Sequence, residues 1–314
     1  MIQILVGLGA GSASALLYFA VLSGTALALA LFYIAPLPII VAGLGWGITT
    51  GLIAALSGAA LAGIITAPPL GLVFLLACSA PAVWLARLAV LGRPVDPDDP
   101  EKGVEWYPPE RLILWTVAMA TGVVLFGALM MGAGTDAFRH SIAEVLDRMV
   151  AGEAGAALGF SEDLDTAALS QGLARVLPAV SAAIWTLTML LNLWLGGRIT
   201  IASGRLARPM PGFAGMRYPT TVALAFGVAL ALAFVPGVPG LAGGIAATAL
   251  LVAYFLLGLA VIHMVTRDMA GRAFLLAGLY MMVLLVIWVV PVIAMLGLAE
   301  HILRLRERMA QTHT

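Results

Sequence analysis

The sequence predicts an all-α, polytopic transmembrane helix bundle, and three observations lead to this fold class. Hydrophobic residues make up 62% of the 314 residues and charged residues only 10%, whereas roughly a quarter of an ordinary soluble domain is charged. The first charged side chain of the chain is Arg87. The apolar stretches are continuous and lack the apolar–polar alternation of barrel strands, so they are typical of membrane helices. We therefore expect a multi-pass protein of the inner-membrane type, with the lipid bilayer as its principal partner.

The apolar stretches are long enough for about nine crossings, since each crossing takes roughly 20 residues; eight and ten are the alternatives. Glycine and proline separate the stretches, as expected for turns between helices. Pro36, Pro38 and Pro291 fall inside spans, where neighbouring helices must satisfy the interrupted backbone. The predicted spans are 4–22, 25–45, 48–67, 70–91, 111–133, 174–196, 219–235, 243–265 and 273–299.

The distribution of arginine and lysine predicts the orientation in the membrane. Segments 87–111, 197–218 and 266–272 hold most of the basic residues found in short loops, and such loops are usually cytoplasmic. With nine spans these three segments fall on one side, which we assign to the cytoplasm. The basic tail does not fit this assignment, because the same count places it outside; it contains Arg304, Arg306 and Arg308.

The chain, 1–314, is predicted to be a single membrane domain in which 1–92 holds the first four spans and 174–299 the last four. Segment 93–110 is rich in proline and polar residues, so it is expected to be a cytoplasmic loop. Segment 134–173 is predicted to be extracytoplasmic and to contain a short amphipathic helix. That helix either lies flat in the headgroup region or packs on the bundle as a lid. Its apolar positions are Phe138, Ile142, Val145, Leu146, Met149 and Val150, and its polar positions are Arg139, Glu144, Asp147 and Arg148.

Small residues recur four apart in the first three spans, a spacing that lets two helix backbones approach closely in a membrane. They form a candidate helix-docking face, which serves either packing inside the bundle or the docking of another membrane protein. The first glycines also resemble a dinucleotide-binding turn, but no acidic residue follows at the distance that such a turn requires. Nucleotide binding is therefore not predicted. The candidate docking residues are Gly7, Gly11, Ala15, Gly43, Gly47 and Gly51.

Polar side chains are rare inside the predicted spans. The sequence contains no Gly-x-Ser-x-Gly elbow, no His-Glu-x-x-His motif and no paired cysteines, so we predict no catalytic site, metal site or cofactor. The net charge of zero gives no reason to expect nucleic acid. The two notable polar residues are Asn192 and His263, each one to two turns from the proposed cytoplasmic surface. An unpartnered polar group in an apolar interior costs several kcal/mol, so we predict that these two side chains hydrogen-bond to each other. A polar part of a ligand site is the alternative.

A family resemblance is carried by residues 31–63, which read LFYIAPLPIIVAGLGWGITTGLIAALSGAALAG. The proline-led apolar stretch followed by glycines four apart resembles the YybS-like bacterial membrane proteins, a family of unknown function. That family is similar to the S components of energy-coupling-factor vitamin transporters and to the rod-shape protein MreD. The resemblance implies a bacterial inner (cytoplasmic) membrane. Similarity to S components also implies that Gly7, Gly11 and Ala15 dock on a coupling subunit.

Two functions follow as hypotheses. In the first, the chain is an S-component-like subunit that binds or transports a small molecule together with partner proteins. In the second, it is a non-transporting scaffold of envelope assembly, like MreD. Neither the substrate nor the partner is specified by the residues.

Overall fold

The computed structural model describes residues 1–96, 99, 103–133, 138, 140–144, 166–206, 208–212, 215–267, 269–304 and 306. Within these residues the chain is almost entirely helical, with a single short hairpin, so the predicted all-α helix bundle is confirmed. Seven helical segments of the described chain are long and apolar enough to cross a membrane. The chain divides into two compact units. The first unit is Met1–Met119, Thr186–Tyr218 and Ile262–Arg267; the second is Ala120–Trp185, Pro219–Val261 and Asp268–Thr314.

The first four predicted spans correspond to four of the seven membrane-length segments. Two of them are single helices, and two are interrupted near a proline. In order they are α1 (Ile2–Phe19) with a 3₁₀ turn (Ala20–Ser23), α2 (Ala26–Tyr33) with α3 (Pro36–Trp46), α4 (Ile48–Ile65), and α5 (Pro68–Phe74) joined through a π-helical turn (Leu75–Ser79) to α6 (Ala80–Ala89).

The remaining helices agree less closely with the predicted spans. Helices α8 and α10 contain the sixth and eighth predicted spans, α7 covers all but the last three residues of the fifth, and each is long enough to cross. Helix α9, at the seventh span, has only 12 residues, fewer than the roughly 20 that a perpendicular crossing takes. The helices are α7 (Pro109–Met130), α8 (Thr166–Ala202), α9 (Thr221–Leu232), α10 (Val238–Val265), α11 (Arg272–Leu285) and α12 (Val289–Leu303).

Proline explains why the ninth predicted span, 273–299, is wrong as one continuous helix. The chain leaves helical geometry at Val286, whose φ is −125° and ψ 97°. Helix α12 then begins at Val289, which places Pro291 in its first turn. The first N–H groups of a helix have no intrahelical acceptor, so proline is tolerated there but not in a helix interior. The ninth span therefore consists of two shorter helices, α11 and α12.

The segment 93–110, predicted as a loop, contains most of a short antiparallel hairpin. Strands β1 (Gly92–Pro94) and β2 (Val104–Trp106) pair with Arg93 opposite Glu105. The Arg93 Nε donates to Glu105 Oε2 at 2.7 Å, with both side chains exposed. The prediction missed this hairpin because proline is unfavourable in most strands, and Pro94 is tolerated here at the end of a two-stranded sheet.

The described part of the 134–173 insertion packs on helix ends of the second unit. Phe138 is buried among apolar residues of α7 and its C-terminal turn, and Ile142 packs against the same cluster. These two positions belong to the predicted apolar face, so for them the structure supports the lid alternative. The other predicted positions of that helix, apart from Glu144, lie outside the described residues. The cluster consists of Ala128, Ala133 and Phe138, with Ile142, Ala174 and Leu241 against it.

Candidate functional site

The small-residue face of α1 is covered by α4 within the same unit. A Cβ atom added to Gly7 would lie 2.7 Å from Ile53 Cγ2, and one added to Gly11 would overlap Ser57 Oγ and the carbonyl oxygen of Ala54. Ala15 is likewise buried. Of the two alternatives predicted for this face, internal packing is the one that the structure shows for α1. The face that the S-component resemblance assigned to a partner is therefore occupied by the chain itself.

The second set of small residues packs in a similar way. Gly43 and Gly51 face each other across α3 and α4, because a Cβ added to Gly51 would lie 3.2 Å from the Gly43 Cα. A Cβ added to Gly43 would also lie 2.9 Å from Ala86 Cβ on α6. Gly47 serves the turn between α3 and α4 instead, with a φ of 92° that favours glycine. Gly43 and Gly51 are therefore covered by neighbouring helices of the same unit, and Gly47 belongs to a turn and not to a helix face.

Asn192 binds the backbone at the interruption of the second span. Its Nδ2 donates to the carbonyl oxygen of Tyr33 at 2.8 Å and to that of Thr188, also at 2.8 Å. In a continuous helix Tyr33 would accept from the N–H of Leu37, but that N–H bonds to the Ile34 carbonyl oxygen, at the point where Pro36 and Pro38 interrupt the helix. Asn192 thus satisfies a carbonyl that the prolines leave without a backbone donor.

The predicted hydrogen bond between Asn192 and His263 is not formed. Nδ2 of Asn192 is used by the two carbonyls, and its Oδ1 has no hydrogen-bond partner among the described residues. His263 lies half-buried in the last turn of α10. Sequence reasoning identified Asn192 as a buried polar residue, at 1% exposure, but could not identify its partner. The partner is a main-chain carbonyl oxygen, and because every residue has one, the sequence does not indicate which carbonyl Asn192 binds.

A second side chain reaches the same interruption from α1. The hydroxyl of Ser14 donates to the carbonyl oxygen of Ala35 at 2.5 Å, and Ser14 is completely buried. Together, Ser14 and Asn192 hold the junction of α2 and α3 from two different helices. Interrupted membrane helices expose backbone carbonyls at depth, which is where many transporters bind ions or substrates.

Two basic segments meet at one end of the first unit. Arg208 is buried, and its Nη1 donates at 2.8 Å to the carbonyl oxygen of Ala89, the last residue of α6. Arg205 lies over the Trp46 ring at 4.3 Å, at the end of α3. Burial lowers the pKa of the Arg208 guanidinium from its usual value, and the Glu110 carboxylate partly offsets this. The segments 87–111 and 197–218 therefore lie together, as predicted for these two; the side of 266–272 and the cytoplasmic location stay predictions.

In the second unit, α10 and α12 cross in close antiparallel contact. A Cβ added to Gly258 would overlap the carbonyl oxygen of Ile293, and one added to Gly297 would overlap that of Tyr254. The two glycines allow backbone contact of the kind that small residues provide in membranes. The crossing fixes the register of the two helices: Gly297 is level with Tyr254, and the residues that follow Gly297 lie level with those just before Tyr254.

Four polar side chains meet just beyond this crossing, and we call them the α10–α12 polar cluster: Tyr254, Glu300, His301 and Arg306. The Tyr254 hydroxyl and His301 Nδ1 are 3.0 Å apart, and the two rings stack with centroids 5.8 Å apart. Arg306 donates from Nε to Glu300 Oε1 at 2.6 Å and from its backbone N–H to Oε2 at 3.0 Å. Glu300 and Arg306 are only 6% and 9% exposed, so this is a buried ion pair.

The register of the crossing places this cluster level with the middle of α10. Helix α10 has 28 residues, about 42 Å at 1.5 Å per residue, against a hydrocarbon core of about 30 Å. Glu300 follows Gly297 by about one turn, so in the antiparallel pair it is level with the middle of α10. Ionisable side chains at such depth are rare and generally mark ion or substrate pathways.

Sequence reasoning missed this cluster because it assumed a straight ninth span. In a continuous helix over 273–299, Glu300 and His301 would emerge at the membrane surface, where charges are unremarkable. The break before α12 instead lets the C-terminal part of the helix end beside the middle of α10. The available signal was Pro291, combined with an acidic residue and a histidine at the end of an apolar segment. Arg306, one of the three tail arginines that did not fit the predicted orientation, is buried in this ion pair.

Among the described residues, no group of three or more histidine, cysteine, aspartate or glutamate side chains is arranged to hold a metal ion. Comparisons of the chain with family models, with curated proteins and with solved structures find no match. What the protein does must therefore be inferred from the geometry of its own side chains.

Proposed function

We propose that this chain is a multi-pass membrane subunit that binds or transports a small molecule, and that the α10–α12 polar cluster is its polar centre. The observation that carries the proposal is the buried Glu300–Arg306 pair, level with the middle of the longest apolar helix of the second unit. Removing two charges from water costs several kcal/mol for each ion. Because the desolvation of these two charges is unfavourable, the α10–α12 polar cluster is better explained by a functional role than by a contribution to the stability of the fold.

The interrupted second span supports the same proposal. Ser14 and Asn192 hold the carbonyls of Ala35 and Tyr33, and discontinuous helices with freed carbonyls are a recurring feature of transporter binding sites. The resemblance to S components remains part of the proposal. It implies an inner-membrane protein that works with partner proteins, and such a partner must dock elsewhere than on the covered face of α1.

The first experiment identifies what stays bound during purification. The protein is extracted in a mild detergent, and both small molecules and proteins that remain bound are identified by mass spectrometry. We expect a small molecule with the unmodified protein that is lost from Glu300→Gln. Glu105→Gln is the matched control, because Glu105 lies on the exposed hairpin. If Glu300→Gln does not fold, as judged by size-exclusion chromatography, Tyr254→Phe replaces it.

The scaffold alternative predicts a different outcome of the same experiment. A scaffold would retain protein partners but no small molecule, and neither Glu300→Gln nor Tyr254→Phe would alter what is retained. That result would contradict the proposal of a binding or transport subunit.

A further inference from the structure

We propose that His301 is a proton-binding site in the interior of the membrane, and that Tyr254 detects its occupancy through their shared hydrogen bond. This inference deepens the proposed function, on which it rests for its purpose, by naming the proton as one ligand of the α10–α12 polar cluster. It depends on three features: the Tyr254–His301 contact, the buried Glu300–Arg306 pair, and the end of α12 beside the middle of α10.

The contact with Tyr254 gives the proton a defined position. A neutral imidazole has one N–H donor and one bare nitrogen acceptor. With Nδ1 bare, the Tyr254 hydroxyl donates to it across the observed 3.0 Å. When a proton from water binds at Nδ1, the new N–H donates to the Tyr254 oxygen, and the hydroxyl hydrogen turns away. The only bond formed is Nδ1–H, and the imidazole becomes a cation.

The charges around His301 are compatible with both states. Glu300 is the preceding residue and forms an ion pair with Arg306, so the pair contributes little net charge. Proton binding at His301 therefore changes the cluster from neutral to positive. Histidine is the side chain that makes this change near physiological pH.

The ionisable groups on the neighbouring helices are few. Helix α9, which contacts Tyr254 through Phe226, contains no ionisable residue in its 12 positions. Helix α10 carries Tyr254 and, about two and a half turns further on, His263. Helices α11 and α12 and the residues after them add only Arg272, Tyr280, Glu300, His301, Arg304 and Arg306 among the described residues.

A proton bound at this depth is useful to a transport subunit. The added positive charge lies within the membrane potential and is attractive to an anionic or hydrogen-bond-accepting substrate. Because Tyr254 also provides the carbonyl beside Gly297 at the helix crossing, a change in its hydroxyl bond acts at the point where α10 and α12 touch.

The proposal is tested by nuclear magnetic resonance of protein labelled with ¹⁵N-histidine, in lipid nanodiscs without added ligand. His301→Gln assigns the His301 signals by their loss. We expect these signals to move between the neutral and protonated forms as a single-proton titration between about pH 5 and pH 8. Tyr254→Phe, which removes only the hydroxyl, should lower the midpoint by about half a pH unit or more, because the hydrogen bond that the hydroxyl accepts from the imidazolium is stronger than the one it donates to the neutral ring. Tyr280→Phe, on exposed α11, is the matched control and should leave the midpoint unchanged.

Two results would overturn the proposal. His301 signals that keep one form across the whole range would show that the site binds no proton reversibly. A titration with the same midpoint in Tyr254→Phe would show that Tyr254 does not detect it. Folding of each variant is checked by size-exclusion chromatography, and a misfolded Tyr254→Phe is replaced by Tyr254→Leu, which also removes the hydroxyl and must then shift the midpoint. Because the readout is the protonation of His301 and not the binding of a small molecule, a failure of this test can be told apart from a failure of the co-purification experiment.

Discussion

Replacing Gly11 with alanine should destabilise the protein, because the added methyl group has no space between α1 and α4. It would overlap Ser57 Oγ and the Ala54 carbonyl oxygen and lie 2.8 Å from the Gly58 nitrogen. Two of these atoms belong to the α4 backbone and cannot rotate away, so the helices must separate. Inserting one carbon into a well-packed core typically costs about 1–3 kcal/mol. Thermal and denaturant unfolding in detergent, followed by tryptophan fluorescence, measures the loss.

Gly9→Ala is the matched control for Gly11→Ala. It lies on the same helix, two residues away, and an added Cβ there meets no atom within 4 Å. Its free energy of unfolding should stay within about 0.5 kcal/mol of the unmodified protein, as for surface changes in general. Equal stability of the two variants would refute the packing of α1 on α4. If Gly11→Ala instead released a bound protein without loss of stability, the result would favour the alternative that this face of α1 docks another membrane protein.

Two further predictions concern polar contacts of the first unit. Asn192→Leu should lower the free energy of unfolding by about 1–3 kcal/mol, because the Tyr33 carbonyl is left buried without a donor. In the double variant with His263→Leu, the two losses of stability should add; a recovery of stability would contradict the observed hydrogen bonds of Asn192. Arg208→Gln should lower the unfolding temperature, because the end of α6 loses a charged donor. The exposed Arg198→Gln is its control, and equal effects of the two arginine changes would argue against the Ala89 contact.

The number and placement of the first spans were predictable from the sequence because the bilayer imposes them. An apolar segment of about 20 residues without charge has one stable environment, and its backbone must be helical there. Spans 4–22 and 48–67 therefore agree with helices of the structure to within a few residues at most ends. The close packing of Gly7 and Gly11 was also foreseeable as one of two alternatives, since small residues four apart allow helices to touch.

The partner of each packed or polar residue was decided only by the tertiary structure. The residue spacing predicts that another helix packs closely against Gly11, but α4 of the same chain and a helix of another protein fit this prediction equally well. Asn192 likewise needs an acceptor, and the acceptor proved to be the Tyr33 carbonyl, which became free only through a helix break that shifts hydrogen bonds by one residue. Backbone acceptors are identical along the chain, so composition carries no information about which one is exposed.

The sequence by itself determined that this is a membrane-spanning helix bundle, since the energy of burying an apolar helix in lipid depends on length and composition alone. The tertiary structure decided where its charges lie. A straight helix over 273–299 would place Glu300 and Arg306 at a membrane surface. The break before Pro291 and the glycine contact of α12 with α10 bring them level with the middle of α10. Depth in the bilayer depends on how helices cross and where they stop, and these are set by contacts between residues far apart in the chain.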